Sequence, residues 1–156
     1  GSGYDIACAL AKTPILYKLE KNIPIAKSVQ FNPDYTKNIF FIYLNKKQDS
    51  NKEIDKFFEM KISDLKIKKL SDLTLEFVNS KTLLDLQNCI KKHENIISET
   101  LKTIPVKNKY FNDYKGEIKS LGAWGGDFIL AAGPINSKKY FYEKGYKTVF
   151  NFKEIF

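Results

Sequence analysis

Three glycines fall within five residues in Gly122-Ala123-Trp124-Gly125-Gly126, with Lys119 just before and Asp127 just after. Glycine accepts positive φ and lets a backbone come close to a ligand. Successive N–H groups in such a turn form a nest for an anion. An ordinary hairpin turn has the same spacing, so both readings stand from the loop alone. A second glycine turn, Gly1-Ser2-Gly3-Tyr4-Asp5, leads into the small-residue run Ile6-Ala7-Cys8-Ala9-Leu10-Ala11. A carboxylate there either caps a helix or serves as a proton acceptor beside a hydroxyl.

The remaining chemistry-bearing residues are sparse. His93 is the only histidine and falls in an apolar stripe, where it reads as a hydrogen-bonded core residue. Cys8 and Cys89 read as small core side chains rather than a disulfide framework or a metal pair. No Ser-His-Asp or Cys-His arrangement is supported by spacing. Lys46, Lys47 and Gln48 follow a strand and suit either a site rim or a solvated loop. Tyr140, Phe141 and Tyr142 read as the inner and outer faces of a helix rather than a stacking platform.

The elements that must position these residues follow from periodicity. A helix is expected from Asp5, then strands over 15–19 and 25–31 with a turn at Asn22 to Pro24. Asn32-Pro33-Asp34 marks a boundary. Asn38 to Leu44 has the pattern of a buried strand. Ser50 with Glu53 resembles a capping box opening a helix over 51–59. A helical pattern returns over 71–79. Leu83, Leu86, Ile90, His93, Ile97 and Leu101 recur at three- and four-residue steps, which predicts a long helix that Pro105 stops. Strands follow over 117–121 and 127–132 on either side of the glycine loop. Ser137 is expected to cap a short helix ended by Gly145, with a last strand over 146–150. From residue 38 the order is strand, helices, strand, strand, helix, strand. The fold class expected is α+β, with a ferredoxin-like split βαβ order preceded by a helix and a β-hairpin.

Composition bounds the function classes. The chain has 156 residues, 43% hydrophobic and 14% aromatic, enough for a packed core. Its net charge is +8, and all 26 basic residues are lysine. Without arginine it makes no bidentate guanidinium contact to phosphate or guanine, and the charge is scattered, so nucleic acid is not the expected partner. The longest apolar runs fall far short of the roughly 20 residues a membrane span needs. A reduced, cytoplasmic setting is expected. The chain begins at Gly1 with its single methionine at Met60, so a fragment, a processed piece or a cloning remnant at Gly1-Ser2 is expected.

Taken together, the two glycine motifs resemble those of the GHMP kinases, the superfamily of galactokinase, homoserine kinase, mevalonate kinase and phosphomevalonate kinase. Gly1-Ser2-Gly3-Tyr4-Asp5-Ile6-Ala7 resembles their segment with the catalytic aspartate, in the form of the "GYDIA" subgroup. Lys119-Ser120-Leu121-Gly122-Ala123-Trp124-Gly125-Gly126-Asp127 resembles their C-terminal glycine motif, Lys-x-x-Gly-Ala-Gly-Gly-Gly-Asp. The separation of a little over 110 residues suits the family, as does the ferredoxin-like order. The resemblance implies that residues 1–33 are the tail of an N-terminal kinase domain and 34–156 the C-terminal ferredoxin-like domain. It implies an ATP-dependent small-molecule kinase acting on a mevalonate- or phosphomevalonate-like substrate, with ATP and Mg²⁺ as cofactors. Asp5 would be the catalytic base, and Ser2, Gly3, Lys119, Gly122, Ala123, Trp124, Gly125, Gly126 and Asp127 the substrate and phosphate contacts, with no protein-held metal. Trp124 departs from the pattern by replacing a glycine. The family's main phosphate loop, Pro-x-x-x-Gly-Leu-Gly-Ser-Ser-Ala, is absent from this chain, so the N-terminal half of the same polypeptide is the implied partner and the chain alone is expected to be inactive. A decarboxylase of the same superfamily is a related outcome. The alternative is a non-catalytic ferredoxin-like module that binds an acidic partner or RNA.

Overall fold

The computed structural model describes residues 3–46, 62–122, 124 and 126–155. The helix expected over 51–59, with Lys47, Gln48, Ser50, Glu53 and Met60, lies outside the described residues. The chain divides into two units, Gly1–Asn32 and Pro33–Ile155.

The first unit is a helix and a hairpin. Helix α1 (Tyr4–Leu10) follows Gly3, which adopts φ +74°. Strands β1 (Ile15–Glu20) and β2 (Ile23–Ser28) pair antiparallel from Ile15↔Ser28 to Glu20↔Ile23. The turn is tighter than expected: Lys21 and Asn22 take positive φ of 52° and 65°, and Pro24 pairs with Leu19 inside the strand. Two positive-φ residues make the turn whose twist matches a hairpin. No described residue of this unit is buried. Cys8, expected in a core, is exposed.

The second unit is built on a four-stranded antiparallel sheet. After a 3₁₀ turn (Asp34–Asn38) comes β3 (Ile39–Tyr43). Two long helices follow, α2 (Asp64–Val78) and α3 (Leu83–Leu101). Helix α2 starts seven residues before its expected bound because Ser63 caps it, accepting the Lys66 N–H at 3.4 Å. Helix α3 has its expected bounds. The Thr82 hydroxyl accepts the Asp85 N–H at 3.1 Å and the Asp85 carboxylate accepts the Thr82 N–H at 3.0 Å, a reciprocal cap. At its far end Lys102 turns left-handed with φ 52°. Pro105 does not stop α3. It opens a short unexpected helix, α4 (Val106–Tyr110), as proline's fixed φ allows. Strands β4 (Glu117–Ser120) and β5 (Phe128–Ala132), helix α5 (Ser137–Glu143) and strand β6 (Val149–Asn151) complete the unit. Ser137 is not the cap of α5. Asn136 holds that position, and the Ser137 hydroxyl instead donates to the Pro134 carbonyl at 2.5 Å. The last strand is shorter than expected and starts three residues later.

The strand order is β4-β5-β3-β6, every neighbouring pair antiparallel. The architecture is α+β. Register places Phe40, Ile42, Ile118, Ile129, Ala131 and Val149 on one face, where they pack with Val106, Phe111, Tyr114 and Phe141. Burial of side chains this size contributes about 1.5–3 kcal/mol each. Phe141 is core and Tyr142 exposed. Among the described residues no helix is long and apolar enough to cross a membrane.

A hydroxyl pair closes the core beside the β4 entry. The Tyr114 hydroxyl donates to Ser137 Oγ at 2.7 Å. Burial, slightly offset by this bond, pushes Tyr114 up to about 12. Its phenol is therefore protonated in the folded chain after the unfolded one has ionised. That contribution to stability is full below pH 10 and is lost as pH rises through about 12, worth up to about 3 kcal/mol. Unfolding titrations between pH 9 and 12 should show this fall, and Tyr114→Phe should flatten it. Gly116 is tight for a different reason, since an added Cβ would collide with the Ala132 carbonyl oxygen and the Tyr114 ring. Gly116→Ala should lower stability by about 2–4 kcal/mol, read from the denaturant midpoint.

Candidate functional site

The glycine loop joins β4 to β5, so its two ends are fixed by the sheet. At one end the Leu121 N–H donates to the Phe128 carbonyl at 3.1 Å. At the other, Asp127 is held on both sides: its N–H donates to the Lys46 carbonyl at 2.9 Å, and its carbonyl accepts the Leu44 N–H at 2.7 Å. The structure thus brings the Lys46 backbone to the loop. Asn45 and Asp127, which make the bend, both adopt positive φ, 55° and 49°.

Within the loop Gly122 adopts φ +62°, and an added Cβ there would meet nothing within 4 Å. A side chain would find room there, so the positive φ rather than crowding favours glycine at this position. Gly126 is buried. Trp124 is half-buried, and its indole Nε1 is shielded from solvent without a hydrogen-bond partner. Ala123 and Gly125 lie outside the described residues. Among the described residues no group of three or more His, Cys, Asp or Glu side chains is placed to hold a metal ion.

Lys119 precedes the loop and belongs to the strand face opposite Ile118. Helix α3 packs against β4. The Lys119 ammonium donates to the Ser120 carbonyl at 3.3 Å. It is half-buried, and loss of hydration holds it below the ordinary lysine value, with Glu94 and Cys89 of α3 pulling it partly back up. Glu94 was not among the residues expected to act. Its side chain is 5% exposed, and neither carboxylate oxygen has a hydrogen bond. His93 lies beside it with Nδ1 3.4 Å from Glu94 Oε1, but this contact is not aligned as a hydrogen bond and Nδ1 has no partner. The expected hydrogen-bonded core histidine is therefore not what the structure holds. A signal for Glu94 was present: Leu86, Ile90 and Glu94 follow one another at four-residue steps, which places the acid on the buried stripe.

In the first unit Gly3 adopts φ +74° immediately before α1, and an added Cβ would stand 3.5 Å from the Tyr17 hydroxyl. Asp5 lies exposed in the first turn of α1. Ser2 lies outside the described residues.

No protein-family model matches the sequence, and no curated protein sequence matches it. Among solved structures, the crystal structure of a Lin0012 protein from Listeria innocua superposes with a TM-score of 0.59 at 14% sequence identity. The match covers 78% of this chain and 39% of that one. At such identity the likeness is one of fold.

Because the Lys119 ammonium is depressed by burial, the folded state binds fewer protons than the unfolded state between its lowered value and 10.5. Stability should therefore rise with pH through that window. Lys119→Met should be at least as stable as the parent at pH 7 and should lose this rise, as measured by chemical unfolding at a series of pH values.

Proposed function

We propose that this chain is the C-terminal portion of an ATP-dependent small-molecule kinase of the GHMP type, working in the cytoplasm on a mevalonate- or phosphomevalonate-like substrate. The observation that carries this reading is the hairpin from Lys119 to Asp127. Its glycine loop resembles the family's residue pattern except at Trp124, and Gly122 adopts the positive φ that glycine takes without steric cost. The strand order, written in chain order as 4-1-3-2 and antiparallel throughout, supports a ferredoxin-like domain around it. The first unit supports an incomplete catalytic body. It buries none of its described residues and leaves Tyr4, Ile6, Leu10 and Ile23 between 54% and 80% exposed. A two-stranded hairpin with one short helix is marginal by itself, so further chain is needed to cover it.

ATP would supply the phosphoryl group and Mg²⁺ would neutralise its phosphates. Asp5 would orient the substrate hydroxyl and take its proton as the phosphoryl group moves to the hydroxyl oxygen and ADP leaves. Gly3 and Ser2 would lie beside that hydroxyl. In this reading Gly122, Ala123, Gly125 and Gly126 would serve the phosphate side, with Trp124 standing where the motif has glycine. Such catalysis rests on positioning and charge.

In the full-length protein, Asp5→Asn should lower kcat for ATP-dependent phosphorylation of mevalonate or phosphomevalonate by about 10²–10⁴-fold with little change in KM for ATP. The 156-residue chain alone should show no turnover. Full activity in Asp5→Asn overturns the reading. So does salt-dependent RNA binding by a full-length protein that leaves ATP untouched.

A further inference from the structure

Helix α1 begins without a side-chain cap. Gly3 holds the cap position at φ +74°, so no side chain there accepts from the free N–H groups of the first turn. The helix has seven residues and buries none of them. A helix this short does not hold itself together in water. Its first turn is therefore placed by what it packs against.

That contact is Tyr17 of β1. Its ring meets the Tyr4 ring edge-on, with centroids 5.7 Å apart and planes at 70°, an arrangement that aromatic quadrupoles favour. Its hydroxyl oxygen lies 3.5 Å from the point a Gly3 Cβ would occupy. Tyr17 thus packs on the two residues directly before Asp5. Across the hairpin it pairs with Ala26, whose small side chain leaves that face to the ring. Asp5 itself is exposed, and its carboxylate takes its place from the turn that carries it. Misplacing a reacting group by about 1 Å lowers a rate by about 10²-fold.

We propose that Tyr17 is a positioning residue for Asp5, setting the turn from which the carboxylate meets a substrate hydroxyl. This rests on the reading of Asp5 as the proton acceptor. Steady-state kinetics of the full-length protein test it. Tyr17→Ala removes the ring and should lower kcat by about 10–10²-fold, with KM for ATP held within about twofold. Tyr17→Phe keeps the ring and should stay within about threefold of the parent. In an Asp5→Asn background Tyr17→Ala should cost nothing further, because it acts through that carboxylate. A general loss of structure would lower both backgrounds alike. Tyr4→Ala, at a position 54% exposed, should repeat the kcat loss and carries the test if Tyr17→Ala fails to fold. The amide chemical shifts of Gly3 to Ala7 should move in Tyr17→Ala and hold in Tyr17→Phe. The proposal is overturned if Tyr17→Ala or Tyr4→Ala turns over like the parent, if the loss is equal in the Asp5→Asn background, or if those shifts do not move. If the parent phosphorylates neither mevalonate nor phosphomevalonate, or if Asp5→Asn keeps full activity, the kinase reading falls and the proposal with it.

Discussion

Strand β3 is the element on which the larger unit depends. It is the only strand of the sheet that links β5 on one side to β6 on the other through its own hydrogen bonds. Ile39, Phe40 and Ile42 are at most 1% exposed, so burial of both faces fixes its register. A one-residue slip would turn Phe40 and Ile42 out of the core they share with Ile129 and Ala131. Register then sets the loop. Pairing continues past Tyr43↔Phe128 into the bonds of Leu44 and Lys46 with Asp127. The glycine loop is thus short because the sheet anchors both of its ends.

What could be read from residues alone was what repeats. The stripe from Leu83 to Leu101 gave the bounds of α3, and the apolar run Ile39 to Leu44 marked a buried strand. The α+β architecture follows from the order of such patterns. What could not be read was decided by single groups. The start of α2 depends on one hydroxyl, Ser63, whose capping bond no periodicity announces. Pro105 is a stop for α3 and a start for α4, and which role wins depends on the left-handed turn at Lys102. Ser137 looks like a cap, but the Pro134 carbonyl takes its hydrogen bond. For the candidate site, the positive-φ turns at Gly3 and Gly122 were legible because glycine takes that conformation without steric cost, whereas the same conformation at Asn45 and Asp127 had no glycine to announce it. Glu94 was passed over because an acid is expected on a solvated face, and only packing against β4 shows that it is buried.

The two units contrast in how they hold together. The second has a core with Phe40, Phe111 and Phe141 essentially inaccessible. In the first, apolar residues are at most half-buried, and the pairing of β1 with β2 is its main internal bond network. Backbone order costs roughly 1–2 kcal/mol per residue, and hydrogen bonds exchanged with water recover only about 0.5–1.5 kcal/mol each. The helix–hairpin half-buries Ile15, Leu16, Tyr17 and Ile25 and packs Tyr4 on Tyr17, but it has no fully buried side chain among its described residues, so its apolar contribution is small against that cost.

Strand β4 brings these themes to the functional hairpin. It is an edge strand of four residues, and an exposed edge invites pairing with another chain. Charged residues resist this. Glu117 is tied to Lys107, and the Lys119 ammonium donates to the Ser120 carbonyl. The protein accepts the cost of partly dehydrating Lys119, and the return is an edge that does not extend. The same placement links the residue just before the glycine loop to a helix carrying an unsatisfied carboxylate. A change of charge at Glu94 therefore acts on Lys119 without any movement of the backbone between them, because the coupling runs through space at reduced dielectric. The glycine loop is anchored at its ends by the backbone bonds of Leu121 and Asp127.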